Sequence, residues 1–600
     1  MSPRSSKRST YTGSKRRLVL AFDIGTTYSG ISYCILDPGQ APEIRGVTSD
    51  TRFPAHEQVS GASKIPTVLY YDREGKMTAA GAEACREGIY ETATEEGWEK
   101  AQWFKMHVRS QRGTTMDFAD RLPPIPAGKT VVQVLADFMQ YLYQCARAYI
   151  SDTHANGQVL WASVESDIDY VISHPNGWEG YQQSQMCEAA ALAGLVADSD
   201  LGKSRITFVT EGEASLHYAI RNGLSEETLE DGHGIVIVDA GGGTVDVSAY
   251  RKRVDDGKGR FEEIAVPQCH FFGSVFVSIQ AKIFLSELLS QSSYLEDLDH
   301  IVDQFDTTTK LRFRNDSEPQ FIRFGGNRDT DPSCGIRFGQ LKISGSDVAN
   351  FFAPSLQCII SAIQTQVEEA HNPVSHVILV GGFASSDWLY GQVVKALADK
   401  SLMVIRPENY VNKAVSDGAV SFYLRRRVRT RVSKYGYGAF YSINYKDSDP
   451  EHRLHDERGS VFVSATGRKR IRGSFKLMIP KNTKIEERKE YRSSSTYRFA
   501  KLETLKKVQA DIWCYRGRSH HPRWKDEEPD MYSKLCQIVM DISHVPYKTL
   551  PALGKEGTYF EIEYDYILYY HGIELKAQMA WRENGVEKRS PAQVVYDPND

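Results

Sequence analysis

The feature that most constrains this chain is a strand-and-turn that occurs twice. Leu18-Val-Leu-Ala-Phe-Asp23-Ile-Gly25-Thr26-Thr27-Tyr28-Ser-Gly30 is a short apolar run ending in Asp, one further residue, then Gly and Thr. Gly234-Ile-Val-Ile-Val-Asp239-Ala-Gly241-Gly242-Gly243-Thr244-Val-Asp246 repeats that order further along. Each reads as a buried strand followed by a tight hairpin turn with a carboxylate at its tip. Glycine lets backbone N–H groups close on phosphate oxygens, Thr adds a hydroxyl donor, and Asp can hold a hydrated cation between them. One such turn is weak evidence, because an Asp that merely caps its own turn looks the same. Two copies, each opening a half-chain of similar size, point to a duplicated fold that grips one nucleotide from both sides.

A third run, His376-Val-Ile-Leu-Val-Gly381-Gly382-Phe-Ala-Ser385, is again an apolar strand ending in glycines, where a nucleoside can approach the backbone. Together the three resemble the phosphate-1, phosphate-2 and adenosine motifs of the actin, sugar-kinase and 70 kDa heat-shock ATPase superfamily. The resemblance implies an α/β fold of two duplicated actin-like lobes and a bound ATP or ADP with Mg2+. Phosphate contacts then fall to Gly25, Thr26, Thr27, Tyr28, Gly241, Gly242, Gly243 and Thr244, nucleoside contacts to Gly381, Gly382 and Ser385, and the cation to Asp23, Asp239 and Asp246.

Six hundred residues exceed one core, so three to four domains or subdomains are expected. Apolar content of 41% with 25% charged residues is that of an ordinary globular protein, and the net charge of −4 singles out no polyanionic partner. Neither a nucleic-acid nor a membrane partner is expected, since no run approaches the roughly 18 apolar residues of a span. Nine scattered cysteines without a C-x-x-C pair argue for reduced thiols and a cytoplasmic or nuclear location. Residues 1–17 carry six Lys or Arg and no acid, which reads as a disordered basic tail or a nuclear address at Lys7-Arg8 and Lys15-Arg16-Arg17.

Strands are expected at 18–36, 65–72, 168–175 and 376–382, and helices at 130–150 (Thr130 as N-cap), 185–195, 276–292, 347–370 and 407–424. These divide into a first lobe at 18–233 and a second at 234–424. The stretch Arg425-Arg426-Arg427-Val-Arg429-Thr-Arg431-Val-Ser-Lys434, a basic linker, places six basic residues in ten positions, alternates like a strand, and is expected to be a largely exposed β-strand or connector. Residues 435–600 read as a mostly β domain. Its clearest strand, Phe560 to Tyr570, is apolar or aromatic at every even position, followed by turns at His571-Gly572 and Asn584-Gly585.

Two catalytic residues follow from the resemblance alone. Trp103-Phe104-Lys105-Met106 is similar to the segment carrying the catalytic lysine of the heat-shock ATPases, so Lys105 would orient the attacking water or the γ-phosphate. Ile206-Thr-Phe-Val-Thr-Glu211-Gly-Glu213-Ala214 is similar to their Ile-Asn-Glu-Pro-Thr-Ala, making Glu211 the water-activating carboxylate, with Asp239 and Thr244 completing the catalytic set. Pro175 is similar to the proline at their lobe hinge. Two other patterns are set aside. Gly202-Lys203-Ser204 lacks the first Walker A glycine, which falls on Ala197, and His520-His521 sits in a polar loop.

Within the superfamily the motifs resemble the heat shock 70 kDa protein 12-like branch. Departures from the chaperones accompany the likeness. Ser385 stands where they carry an adenine-stacking arginine, and Gly273-Ser274-Val275-Phe276 replaces their Gly-Gly-Glu-Asp. The linker is basic where theirs is acidic, and the sequence to Asp600 leaves no room for a long helical lid. Three functions stay open: a weakly hydrolysing chaperone-like ATPase whose β domain binds an unfolded peptide or client protein, a nucleotide-binding scaffold or sensor without turnover, and a small-molecule kinase. Co-chaperones are not identifiable.

Overall fold

In a computed structural model the apolar runs before both glycine turns pair as hairpins. The structure describes residues 10–47, 64–108, 121–178, 180–222, 224, 232–255, 258–407, 413–501, 507–541, 545–552 and 557–596. Lys7-Arg8 and the start of the 407–424 segment lie outside them. The chain divides into two compact units, one of residues up to Trp178 with Gln182–Val428, the other of Arg429–Asp600 with Glu179–Tyr181.

The first unit holds two sheets of matching topology. Arg17–Asp23 pairs antiparallel with Tyr28–Leu36 and parallel with Ile168–His174, which runs parallel to Ile206–Thr210. Gly234–Ala240 pairs antiparallel with Val245–Asp255 and parallel with Val374–Val380, which runs parallel to Met403–Ile405. Strands with parallel neighbours are covered on both faces, which is why these runs are continuously apolar instead of alternating. Both Leu18–Phe22 and Ile235–Val238 are fully or almost fully buried. The register places Asp23 opposite Gly30 and Asp239 opposite Asp246. At this register position Gly30 stands in the first hairpin where Asp246 stands in the second.

Helix Val131–Thr153 begins at Thr130, whose hydroxyl accepts from Gln133 N–H while the Gln133 side chain accepts from Thr130 N–H. This reciprocal cap is the reason the helix starts where the sequence indicates. Helix Gly180–Leu192 starts earlier than the expected 185–195 and stops sooner, with Gly194 left-handed just beyond its end. Helices Ser274–Leu288 and Gly345–Glu369 take the expected places, the second despite Pro354.

Helix Ala414–Leu424 ends the 234–424 stretch expected to form the second lobe, yet it packs on the first sheet. Val415, Ala419, Val420 and Phe422 share one core with Val19, Ala21, Val171 and Val209. Ser32 donates to Ser416 at 3.0 Å and to Asp417 at 2.6 Å. Gly418 allows this approach, since a Cβ there would lie 1.8 Å from the Ala214 carbonyl oxygen. Gly418→Ala is expected to destabilise the protein by about 1–3 kcal/mol, the usual scale of overpacking, read as a lower midpoint in urea unfolding.

The second unit, among its described residues, is built mainly from strands, with the α-helix Pro450–Glu457 and the short 3₁₀ turn Pro529–Met531. One sheet runs in the order Val461–Val463, Lys469–Ile479, Gly436–Asn444, Lys507–Tyr515, Tyr532–Asp541. The other joins Tyr491–Phe499, Thr558–His571, Glu574–Glu583 and Val586–Arg589. Ile479, Ile512, Ile538, Ile562, Leu568 and Met579 form their common core. The turn at Asn584-Gly585 has φ of 50° and 80°, the left-handed pair a two-residue hairpin requires.

The expected exposed linker is corrected here. Val428–Val432 is a strand whose Thr430 to Val432 pair with Lys484 to Glu486, and Thr430 and Arg431 are buried. Arg429 stays exposed and meets Glu487 at 2.5 Å, so Arg431 is the basic side chain of this strand that is buried. No helix among the described residues is long and apolar enough to cross a membrane.

Candidate functional site

Both glycine turns are tight because the first glycine of each lies against a carbonyl three residues on. A Cβ at Gly25 would be 2.2 Å from the Tyr28 oxygen, and Gly241 N–H donates to the Thr244 carbonyl at 2.9 Å. The turns also face one another. A Cβ at Gly242 would be 2.2 Å from Thr27 Oγ1, and one at Gly243 would be 2.3 Å from Thr26 Oγ1 and 2.5 Å from Met106 Sδ. Gly381, at φ +91°, comes as close to the second hairpin, where its Cβ would meet the Ala240 oxygen and Asp239 Oδ1 at 2.4 Å.

The carbonyls of the second turn are already engaged. Gly273, Ser274 and Val275 donate their N–H groups to the oxygens of Gly243, Gly241 and Gly242 at 2.9–3.1 Å. The segment that departs from the chaperones' Gly-Gly-Glu-Asp thus still braces the turn, by backbone rather than side chain. Gly273 is required because its Cβ would be 2.4 Å from the Gly242 oxygen.

The two residues expected to be catalytic meet. Lys105 Nζ donates to Glu211 Oε1 at 2.6 Å, both side chains being buried. Lys105 sits in a short 3₁₀ turn, Phe104–Val108, directly after Trp103, which is held at φ 56°. Glu211 is the first residue of helix Glu211–Arg221, capped by the Thr210 hydroxyl, which accepts from Glu213 N–H. Burial disfavours charge on Lys105, but Glu211 and Asp23 outweigh it and hold the ammonium charged. Burial pushes the Glu211 carboxyl up, against the pull of Lys105.

The three aspartates are buried around this pair. Asp23 accepts from Lys64 Nζ and Ser173 Oγ, both at 3.3 Å, and Asp239 accepts from Ser215 Oγ at 2.8 Å. Asp246 Oδ1 accepts from Asn176 N–H at 2.5 Å, while its Oδ2, buried, accepts no hydrogen bond from the described residues. Burial, reinforced by Glu211, pushes Asp239 up to about 7 and Asp246 well above the usual carboxylate range. Among the described residues these four carboxylates meet the cations Lys64 and Lys105, an acidic surplus that favours an added cation. Among the described residues no three His, Cys, Asp or Glu side chains converge to coordinate a metal unaided. Mg2+ keeps several waters and takes few protein oxygens. The orphaned Oδ2 and the acidic surplus therefore fit a hydrated cation between turns built for phosphate.

Other assigned residues are less engaged. Tyr28 begins the strand after the first turn and is partly exposed, and Gly382 and Ser385 are exposed. Ser385 Oγ donates to the Gly382 carbonyl of its own loop at 2.6 Å. Gly202 and Lys203 lie in a short helix capped by Ser199, and His520 and His521 are exposed. Sequence reasoning missed Lys64, Ser173, Ser215 and Asn176. Ser215 alone had a local signal, lying four residues after Glu211 on one helix face.

No protein-family model matches the chain. Heat shock 70 kDa protein 12A of Mus musculus is 24% identical over 500 residues, covering 70% of this chain and 71% of that protein. Heat shock 70 kDa protein 12A of Homo sapiens shows the same identity and coverage. Heat shock 70 kDa protein 12B of Homo sapiens is 24% identical over 503 residues, with coverage of 70% and 71%. These similarities support the branch that the three glycine motifs resemble.

Proposed function

We propose that this chain, a distant relative of the heat shock 70 kDa protein 12 proteins, binds Mg-ATP between its two lobes and hydrolyses it slowly. The observation that carries the reading is the apposition of two glycine turns over a buried Lys105–Glu211 pair. In this reading the amides of both turns and the hydroxyls of Thr26, Thr27 and Thr244 bind phosphate oxygens. Gly381 lets the nucleoside approach the backbone, beside Gly382 and Ser385. Asp23, Asp239 and Asp246 hold the hydrated Mg2+, which neutralises charge on the phosphates. Glu211 accepts the proton of the attacking water, and Lys105 keeps that carboxylate oriented and partly offsets its charge. The β-rich unit binds an unfolded segment of a client protein, and the protein acts in the cytoplasm or nucleus.

A second reading, nucleotide binding without turnover, is favoured by one observation: Glu211 is already engaged by Lys105 at 2.6 Å. A base held this way must exchange partners before it can take a proton. Single-turnover ATP hydrolysis with and without an unfolded peptide separates the two. Measurable turnover, accelerated by peptide, is the expected result; binding with no phosphate release selects the sensor reading.

A further inference from the structure

Asn176 follows Pro175 at the end of strand Ile168–His174, in the first lobe, and is buried. Its polar groups nevertheless point into the second lobe. The backbone N–H donates to Asp246 Oδ1 at 2.5 Å. The amide Nδ2 donates toward Ser248 Oγ at 2.9 Å, the Gln268 carbonyl at 3.2 Å and the Val247 carbonyl at 3.3 Å. Its Oδ1 accepts no hydrogen bond from the described residues. Gly212, directly after Glu211, is packed against the same amide. A Cβ on it would lie 2.5 Å from Ser248 Oγ, 3.1 Å from Asn176 Oδ1 and 3.2 Å from Asn176 Nδ2. One side chain therefore touches the helix start that carries Glu211 and the strand that carries Asp246.

We infer that Asn176 is a positioning residue that latches the two lobes and turns Asp246 so that its free Oδ2 faces the cation. This rests on the Mg-nucleotide reading above. Three physical points support it. An amide buried between lobes with only one half satisfied costs free energy unless its geometry serves something else. The donors are spent on Val247 and Ser248 and on Gln268, which pairs with Val247 on the neighbouring strand, so they brace the backbone next to Asp246. The Asn176 N–H on Oδ1 biases the carboxylate so that Oδ2 is the oxygen left over, and because Asn176→Ala keeps that N–H, the variant removes only the side-chain brace that holds the strand in register with it. The Thr244 hydroxyl and the Cys269 thiol also lie against this carboxylate, and the hydroxyl favours its charged form.

The test uses the full chain with two variants, Asn176→Ala and Ser248→Ala, and two measurements. The first is calorimetric ADP binding titrated with Mg2+ and repeated in EDTA. Outer-shell partners of a metal site usually contribute about 10–100-fold to its affinity. Asn176→Ala is therefore expected to raise the half-saturating Mg2+ concentration by about tenfold or more, with Mg-free ADP affinity within about twofold of wild type. The second is amide hydrogen exchange across residues 168–178 without nucleotide, where protection should fall about tenfold, the scale of one or two lost hydrogen bonds. Ser248→Ala keeps Asn176 and should move both readouts in the same direction, which covers a failure of Asn176→Ala to fold. Unchanged Mg2+ dependence in both variants overturns the inference, as does an equal loss with and without Mg2+, the mark of general destabilisation. A wild type that binds no Mg-ADP overturns the nucleotide reading itself. Unchanged exchange then overturns the latch as well.

Discussion

Gly242→Val is expected to remove detectable ATP binding while leaving the protein folded. The turn at Gly242 faces Thr27 so closely that a Cβ would lie 2.2 Å from its hydroxyl, 2.9 Å from its Cγ2 and 3.0 Å from its Cβ. Valine adds two further methyl groups, so the turns must separate. The carbonyl of Gly242 is held by Val275 N–H at 2.9 Å, which prevents the second turn from yielding alone. Overpacking of this kind costs about 1–3 kcal/mol before any phosphate contact is lost, and each 1.4 kcal/mol is about tenfold in affinity. Displacing the amides adds to this, so a loss of about 100-fold or more is expected by calorimetry. Circular dichroism matching wild type shows that the fold is intact. Unchanged affinity in such a folded variant would mean that the facing turns do not hold the nucleotide.

Glu211→Gln is expected to slow single-turnover hydrolysis by roughly 10²–10⁴-fold, the usual contribution of a general base, with little change in ATP affinity. The amide keeps the shape and an oxygen for Lys105, now 2.6 Å from the carboxylate, but cannot take a proton at neutral pH. Electrostatics sharpen the expectation. Glu211 raises the proton affinities of both Asp239 and Asp246, so removing its charge leaves those carboxylates more readily ionised. Cation affinity should therefore hold or rise while turnover falls. A loss of binding in place of rate would make Glu211 a cation-site group, and near-wild-type turnover would show that another group activates the water.

The legible parts of this protein were local ones. Continuous apolar runs at Leu18–Phe22 and Gly234–Val238 identified central strands because parallel neighbours leave no polar face to alternate. Thr130 marked a helix start because its hydroxyl and Gln133 satisfy one another within four residues. Lys105 and Glu211 were singled out only by resemblance, and their contact was not legible, since the partners lie 106 residues apart and nothing in either segment names the other. The linker was misread for the opposite reason. Its six basic residues argued for exposure when taken alone, but Glu487 and the edge of Lys484–Glu486 lie more than fifty positions away.

By itself the sequence determined two glycine turns, their strands and the carboxylates at their tips. Chain stiffness and hydrogen bonding act over a few residues there, and Gly, Thr and Asp leave few alternatives. Only the tertiary structure decided that the turns face each other, that helix Ala414–Leu424 returns to the first sheet, and that Asn176 reaches across to Asp246. Each depends on which distant surface has a complementary shape and an unpaired polar atom. Burial, which raises the energetic stake of every such pairing, exists only after the chain has folded.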